Sequence, residues 1–216
     1  MGLGPGYGET PLEGEELGAL DPRLISHLGT AGTKAAIFDL ESALQAEVRD
    51  RFMARIDHGD LTLEEILRED FLVELHRTLY DGIWTWAGHF RRTGLNIGVD
   101  PHLIPTELFA SLGTLRFQWF ETSLFDPHSF GLAVHAETVR IHPFTDGNGR
   151  VTRLLADLVS AAAQPLPHEW EYDWEVDKQE YIRLLRLYDS NRDPLPLTEF
   201  VKVLLQSWGS RKSDVK

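Results

Sequence analysis

Residues 141–153 read Ile-His-Pro-Phe-Thr-Asp-Gly-Asn-Gly-Arg-Val-Thr-Arg, and no other stretch so narrows what this chain can fold into. Upstream, Asp126-Pro127 marks the start of a helix reaching about Ile141. Downstream, Val151, Leu154, Leu155, Leu158 and Val159 recur at helical spacing to about Ala163. Between them Asp146-Gly147-Asn148-Gly149 makes a tight turn, whose glycines permit positive φ and close approach of a ligand to the backbone. Pro143 fixes φ and Phe144 offers an anchor in the core. The segment is therefore a helix, a glycine-rich turn and a second helix.

The remaining pattern is helical too. Residues 1–20, rich in Gly, Pro and Glu, read as a flexible arm, and the charged run Glu13–Glu16 as solvated; residues 21–216 read as one domain. Phe38, Leu40, Leu44, Val48 and Phe52 predict an amphipathic helix over about 34–57, closed by His58-Gly59-Asp60. A second helix runs from about Thr62 to Leu79 with a break near Asp70. The stretch 91–105, with Gly94, Gly98 and two prolines, is too interrupted for a long helix and reads as a short hairpin or an ordered loop. Helix returns over Thr106–Phe120, and two last helices are expected at Asp177–Tyr188 and Leu197–Trp208. The expected class is mainly α with one small β element.

Composition removes whole classes of function. The chain has no cysteine, so disulfides, thiolate metal sites and cysteine nucleophiles are excluded, in keeping with a reducing, cytoplasmic setting. Residues 1–22 carry no basic, apolar signal pattern, and no apolar run approaches a membrane span. A formal charge of −13 argues against nucleic acid and anionic lipid as partners. Any polyanion must meet a local positive site.

The turn supplies one. The helix after it opens with free N–H groups and a positive dipole end, which suits phosphate. Arg150 and Arg153 lie beside the apolar stripe of that helix, able to reach around the loop. Asp146 is a hard oxygen donor for Mg²⁺, which commonly takes one carboxylate plus phosphate oxygens. His142, with an ordinary pKa of about 6.5, is the candidate general base. Together they describe a phosphoryl-type transfer site. A metal site of His135, His142 and Asp146 is disfavoured because His142 sits at a helix end, and His135 reads as packed within its helix. Trp84 and Trp86 read as core aromatics rather than a stacking platform.

This segment resembles the defining motif of the Fic (filamentation induced by cAMP) family, His-x-Phe-x-(Asp/Glu)-Gly-Asn-Gly-Arg-x-x-Arg, at every fixed position. Leu75-His76-Arg77 and Trp84–Arg91 are similar to the part of that family before its target-binding flap. Asn96-Ile97-Gly98-Val99-Asp100, Ile104-Pro105 and Thr10-Pro11-Leu12 resemble the small branch called mobile mystery protein B, and the likeness spans about residues 10–205.

The resemblance implies a Fic fold: a helical bundle around the helix-loop-helix motif, with a short β-hairpin flap. It implies a protein adenylyltransferase moving AMP from ATP to a Ser, Thr or Tyr hydroxyl of a target protein. His142 would deprotonate the hydroxyl, and Asp146 would hold Mg²⁺ on the ATP phosphates. Gly147, Asn148, Gly149 and Arg150 would surround the α- and β-phosphates, and Arg153 would meet the γ-phosphate. Asn96, Ile97, Gly98 and Val99 would lie in the flap and hold the target as an added strand. Many family members carry an inhibitory glutamate in Ser/Thr-x-x-x-Glu-Gly/Asn; Glu41 fails the pattern at both flanks, with Ile37 and Ser42, but stands where such a helix would be and is kept as the candidate inhibitory residue on that position. A toxin-like or regulatory role with an antitoxin-like partner follows by analogy alone. Two alternatives stand beside this reading: a Fic-type transferase using another nucleotide or phosphate-containing donor, and a non-catalytic Fic scaffold acting as a binding module.

Overall fold

The computed structural model describes residues 18–24 and 34–205. The chain is mainly helical: α1 (Lys34–Asp57), α2 (Leu63–Ile66), α3 (Glu69–Tyr80), a 3-10 turn (Pro101–Leu103), α4 (Ile104–Thr122), α5 (Pro127–Ile141), α6 (Asn148–Ala163), α7 (Lys178–Asn191) and α8 (Leu195–Phe200). Two short strands, β1 (Trp170–Tyr172) and β2 (Val203–Leu205), pair antiparallel with Trp170 opposite Leu205 and Tyr172 opposite Val203.

Local chemistry sets the helix starts. Thr62 accepts from the Glu65 N–H while Glu65 reaches back to Thr62, a capping box that opens α2. Asp126 does the same with Ser129 at α5, where Pro127 occupies the first turn without wasting an N–H. Asp177 caps α7 through the Glu180 N–H.

The centre of the molecule is α5 lying along α6. Phe130 to Thr138 is buried without interruption, and Val151, Leu155, Leu158 and Val159 of α6 are fully buried against it. The flanking helices α1 and α3 add Val48, Phe52, Leu72 and Leu75 to this core. A second cluster, built on Tyr172, Tyr181, Leu184, Tyr188 and Leu197, covers the other side of α5. No described helix is long and apolar enough to cross a membrane.

Three expectations need correction. The stripe of α1 begins at buried Ile37, while Phe38 is exposed, so the inward row runs Ile37, Glu41, Val48, Phe52, Ile56 and takes in a carboxylate. The helix expected over Leu197–Trp208 ends at Phe200; residues 203–205 leave it to pair with β1, and residues 206–208 lie outside the described residues. The two strands therefore lie here, not in the flap: segment 91–100 is an ordered loop, with no strand ladder of its own. Of the arm, residues 1–17 lie outside the described residues; its end is tied down where Leu20 bridges to Trp84 and Thr85 N–H bonds the Ala19 carbonyl at 2.9 Å.

Candidate active site

His142 is the C-cap of α5, and it takes left-handed backbone angles (φ 52°, ψ 62°) while its N–H still bonds the Thr138 carbonyl at 3.1 Å. That reversal is what turns the chain from the helix into the loop. The imidazole is largely buried, and its Nδ1 has no hydrogen-bond partner among the described residues. Burial first, and then the Arg91 cation, pull its pKa down to about 4, so the ring is neutral at physiological pH.

The loop after it is over-determined. Asn148 accepts the Phe144 N–H through Oδ1 at 2.9 Å and donates Nδ2 to the Phe144 carbonyl at 2.8 Å. Its buried side chain thus closes the turn from inside, and only its main chain is left to face a ligand. Phe144 is fully buried and lies flat on His76, with ring centroids 3.6 Å apart. His76 accepts the Gly88 N–H at Nδ1 (2.9 Å), which assigns its proton to Nε2, donated to the Asp146 carbonyl at 3.1 Å. The motif loop is therefore held from α3 as well as from within.

Gly147 precedes α6 at φ +74°, where a Cβ would stand 2.6 Å from the Tyr80 ring. Its N–H donates to Asp146 Oδ1 at 2.6 Å. No side chain caps α6, and the first backbone bond into that end is Val151 N–H to the Gly147 carbonyl, 3.0 Å. Glycine leaves the helix N-terminus open to an anion.

The two arginines are not equivalent. Arg150 lies over the Tyr80 ring, 5.1 Å from its centroid, and is ion-paired with Glu41. Glu41 is buried, and its other oxygen accepts the Trp84 indole N–H at 2.6 Å. Arg153 is half-buried beside Gly149, its Nη1 3.6 Å from where a Gly149 Cβ would be, and faces Tyr181. Among the described residues no carboxylate pairs with it.

Expected site residues thus converge: His142, Asp146, the 147–149 backbone, Arg150 and Arg153 share one turn, and Glu41 reaches it from α1. Asn96 and Ile97 are exposed in the loop beyond, while Gly98 and Val99 touch the end of α5: Val99 N–H bonds the Ile141 carbonyl at 3.3 Å, and a Cβ on Gly98 would stand 2.6 Å from His142 Cβ. Sequence reading gave no role to His76, Tyr80 or Arg91. The contacts that bring them to the motif, His76 to Asp146, Tyr80 to Arg150 and Arg91 to His142, span 50 to 70 positions of sequence, and the local signals were a histidine and a tyrosine on the inward face of α3 and the family likeness of residues 75–77 and 84–91. Among the described residues no cluster of three His, Asp or Glu side chains could hold a metal alone, which leaves Asp146 as a single carboxylate beside the turn. His135 is fully buried and hydrogen-bonded to the Tyr181 hydroxyl, a packed core histidine.

Residues 66–160 match the family model of the Fic/DOC family. This chain carries a Fic/DOC domain. It is similar to protein adenylyltransferase fic-1 of Caenorhabditis briggsae, 27% identical over 71% of this chain and 30% of that protein. Protein adenylyltransferase Fic of Drosophila grimshawi is 30% identical over 66% of this chain and 27% of that protein. The chain thus spans less than a third of the length of these relatives. Among solved structures, the N-terminal Fic domain of a cell filamentation protein from Bartonella quintana superposes with a TM-score of 0.60 at 16% identity, covering 80% of this chain and 86% of that one. BepC of Bartonella tribocorum, solved with bound AMPPNP, gives 0.58 at 15% identity, covering 80% and 89%. Both share the Fic fold with this chain.

Proposed function

We propose that this chain is a protein adenylyltransferase. The observation that carries the reading is the turn itself. On one side stands a neutral histidine; on the other, an uncapped helix N-terminus is flanked by Arg150 and by Arg153, which meets no carboxylate among the described residues. In the proposed reaction His142 takes the proton of a target Ser, Thr or Tyr hydroxyl. The hydroxyl oxygen forms a bond to the α-phosphorus of ATP, the bond from that phosphorus to the β-phosphate oxygen breaks, and pyrophosphate leaves. The products are the AMP-modified protein and pyrophosphate, with the proton on His142 then released to water.

Each group supplies something the chemistry needs. The main chain of 147–149 and Arg150 would cradle the α- and β-phosphates, and Arg153 would draw the γ-phosphate so that attack is in line. Asp146 fits Mg²⁺ as a half-exposed carboxylate beside that cradle, and the ion would neutralise charge on the leaving pyrophosphate. The main chain of Gly94 to Gly98 takes part in no hydrogen bond among the described residues, which suits a loop that receives a target segment as an added strand. The names of the two relatives and the AMPPNP held by BepC support the same donor. We take Glu41 as the residue that holds Arg150, because it meets that arginine and leaves Arg153 open. An open Arg153 also suits a toxin-like protein restrained by a separate partner, in a cytoplasmic setting.

Incubation with α-labelled and γ-labelled ATP and Mg²⁺ tests the reading. Label on protein from the α position alone, lost in His142→Ala, is the expected result. Transfer of the γ label would make the chain a kinase. Absence of both labels would leave it a binding module.

A further inference from the structure

We propose that Arg91 is a positioning residue that clamps the flap to His142, so that target segment and base share one register. This rests on the transferase reading above. Arg91 is almost fully buried, 3% exposed, yet among the described residues it forms no ion pair. Every hydrogen bond of its guanidinium goes to a carbonyl oxygen. Nε donates to His142 at 2.6 Å, Nη1 to Thr93 at 3.1 Å, and Nη2 to Val99 and, more distantly at 3.5 Å, to Ile141. Two of these carbonyls close the flap loop at either end, and two belong to the last turn of α5, where the helix dipole is negative. A single planar fork thus satisfies both, in a geometry that lysine, with donors radiating from one point, does not reproduce.

The clamp explains two other features. The Thr93 and Val99 carbonyls, which a hairpin would use in its ladder, are engaged by Arg91, so the segment stays a loop. Gly98 follows the same seam at φ +88°, where a Cβ would meet His142 Cβ at 2.6 Å, Arg91 Nη2 at 2.7 Å and the Ile141 carbonyl at 3.0 Å. Only glycine allows the flap to lie that close to the base. The Arg91 N–H also bonds the Pro143 carbonyl at 2.9 Å, extending the seam into the motif loop.

The test compares wild type with Arg91→Met, Arg91→Lys and Gly98→Ala. Hydrogen exchange of the two bonded amides at the seam, Val99 N–H on the Ile141 carbonyl and the residue 91 N–H on the Pro143 carbonyl, is expected to quicken about tenfold in each, as local opening becomes easier. Affinity for AMPPNP with Mg²⁺ stays within about twofold of wild type, while α-label transfer to an immobilised Ser/Thr/Tyr peptide array falls about tenfold or more, since only the target side is disturbed. Unchanged flap exchange, or AMPPNP affinity falling in step with transfer, would overturn the proposal. Should Arg91→Met fail to give a cooperative melt, the lysine and alanine variants carry the same readouts. A wild type that labels nothing sinks the transferase reading alone, because the exchange measurement still decides the clamp.

Discussion

The buried carboxylate of Glu41 is shared between two partners from distant parts of the chain, ion-paired with Arg150 on one oxygen and accepting the Trp84 indole N–H on the other. Because Glu41 is buried among them, the position of Arg150 over Tyr80 depends on α1 as much as on α6.

Replacing Glu41 by Gln should therefore lower transfer rather than raise it. The Trp84 bond survives, but Arg150 loses its counter-charge in a site where it retains about a quarter of its exposure. We expect a loss of about 1–3 kcal/mol in stability, less than for a fully buried pair, and a raised KM for ATP. Denaturant midpoints and ATP saturation curves check this; a gain in activity would instead make Glu41 inhibitory.

Gly147→Ala should be severe. It combines a left-handed backbone with a Cβ driven into the Tyr80 ring, and strain of this kind costs about 1–3 kcal/mol before any overpacking. Nucleotide affinity, measured by AMPPNP titration, should be lost even where the variant stays folded.

Asn148→Ala removes both bonds that close the motif loop and leaves the Phe144 N–H and carbonyl buried without that partner. About 2–4 kcal/mol is expected. For a chain of this size that lowers Tm by roughly 5–12 °C, read by calorimetry. A shift of a degree or less would mean that water takes over both groups.

Stability should fall in mild acid. Burial holds His76 and His135 down to about 3, and burial with Arg91 holds His142 down to about 4, all from 6.5. Between pH 6.5 and 4 the unfolded chain binds protons that the folded one does not, so this stability is complete above 6.5 and drains away as pH falls. Asp157 acts in the opposite sense between 3.8 and about 7, where burial keeps it protonated in the folded state, and offsets one histidine. The remaining two give at most about 3 kcal/mol per pH unit. Urea midpoints between pH 7.5 and 5 should show the slope; His135→Phe should flatten it and Asp157→Asn should steepen it.

Much of the architecture was legible in advance because it is local. Amphipathic spacing placed α1 and α3 to α6 within a few residues of their bounds, and Asp126-Pro127 marked the start of α5 through a cap that needs only its own neighbours. Local pattern failed where a distant partner intervened. Residues 203–205 carry apolar side chains that suit either helix or strand, and the opposing 170–172 segment settled the matter. Phe38 looked like a core residue, but rotation of α1 against α6 put Ile37 and Glu41 inside instead.

By itself, then, the sequence determined that residues 141–153 form a helix, a glycine turn and a helix, because proline, glycine and apolar spacing act over a few bonds. Tertiary structure decided what that turn can do. The Glu41–Arg150 pair, the His76 and Arg91 hydrogen bonds and the low pKa of His142 all require groups from remote segments, or burial by them. Desolvation and long-range contact arise only once the chain has packed.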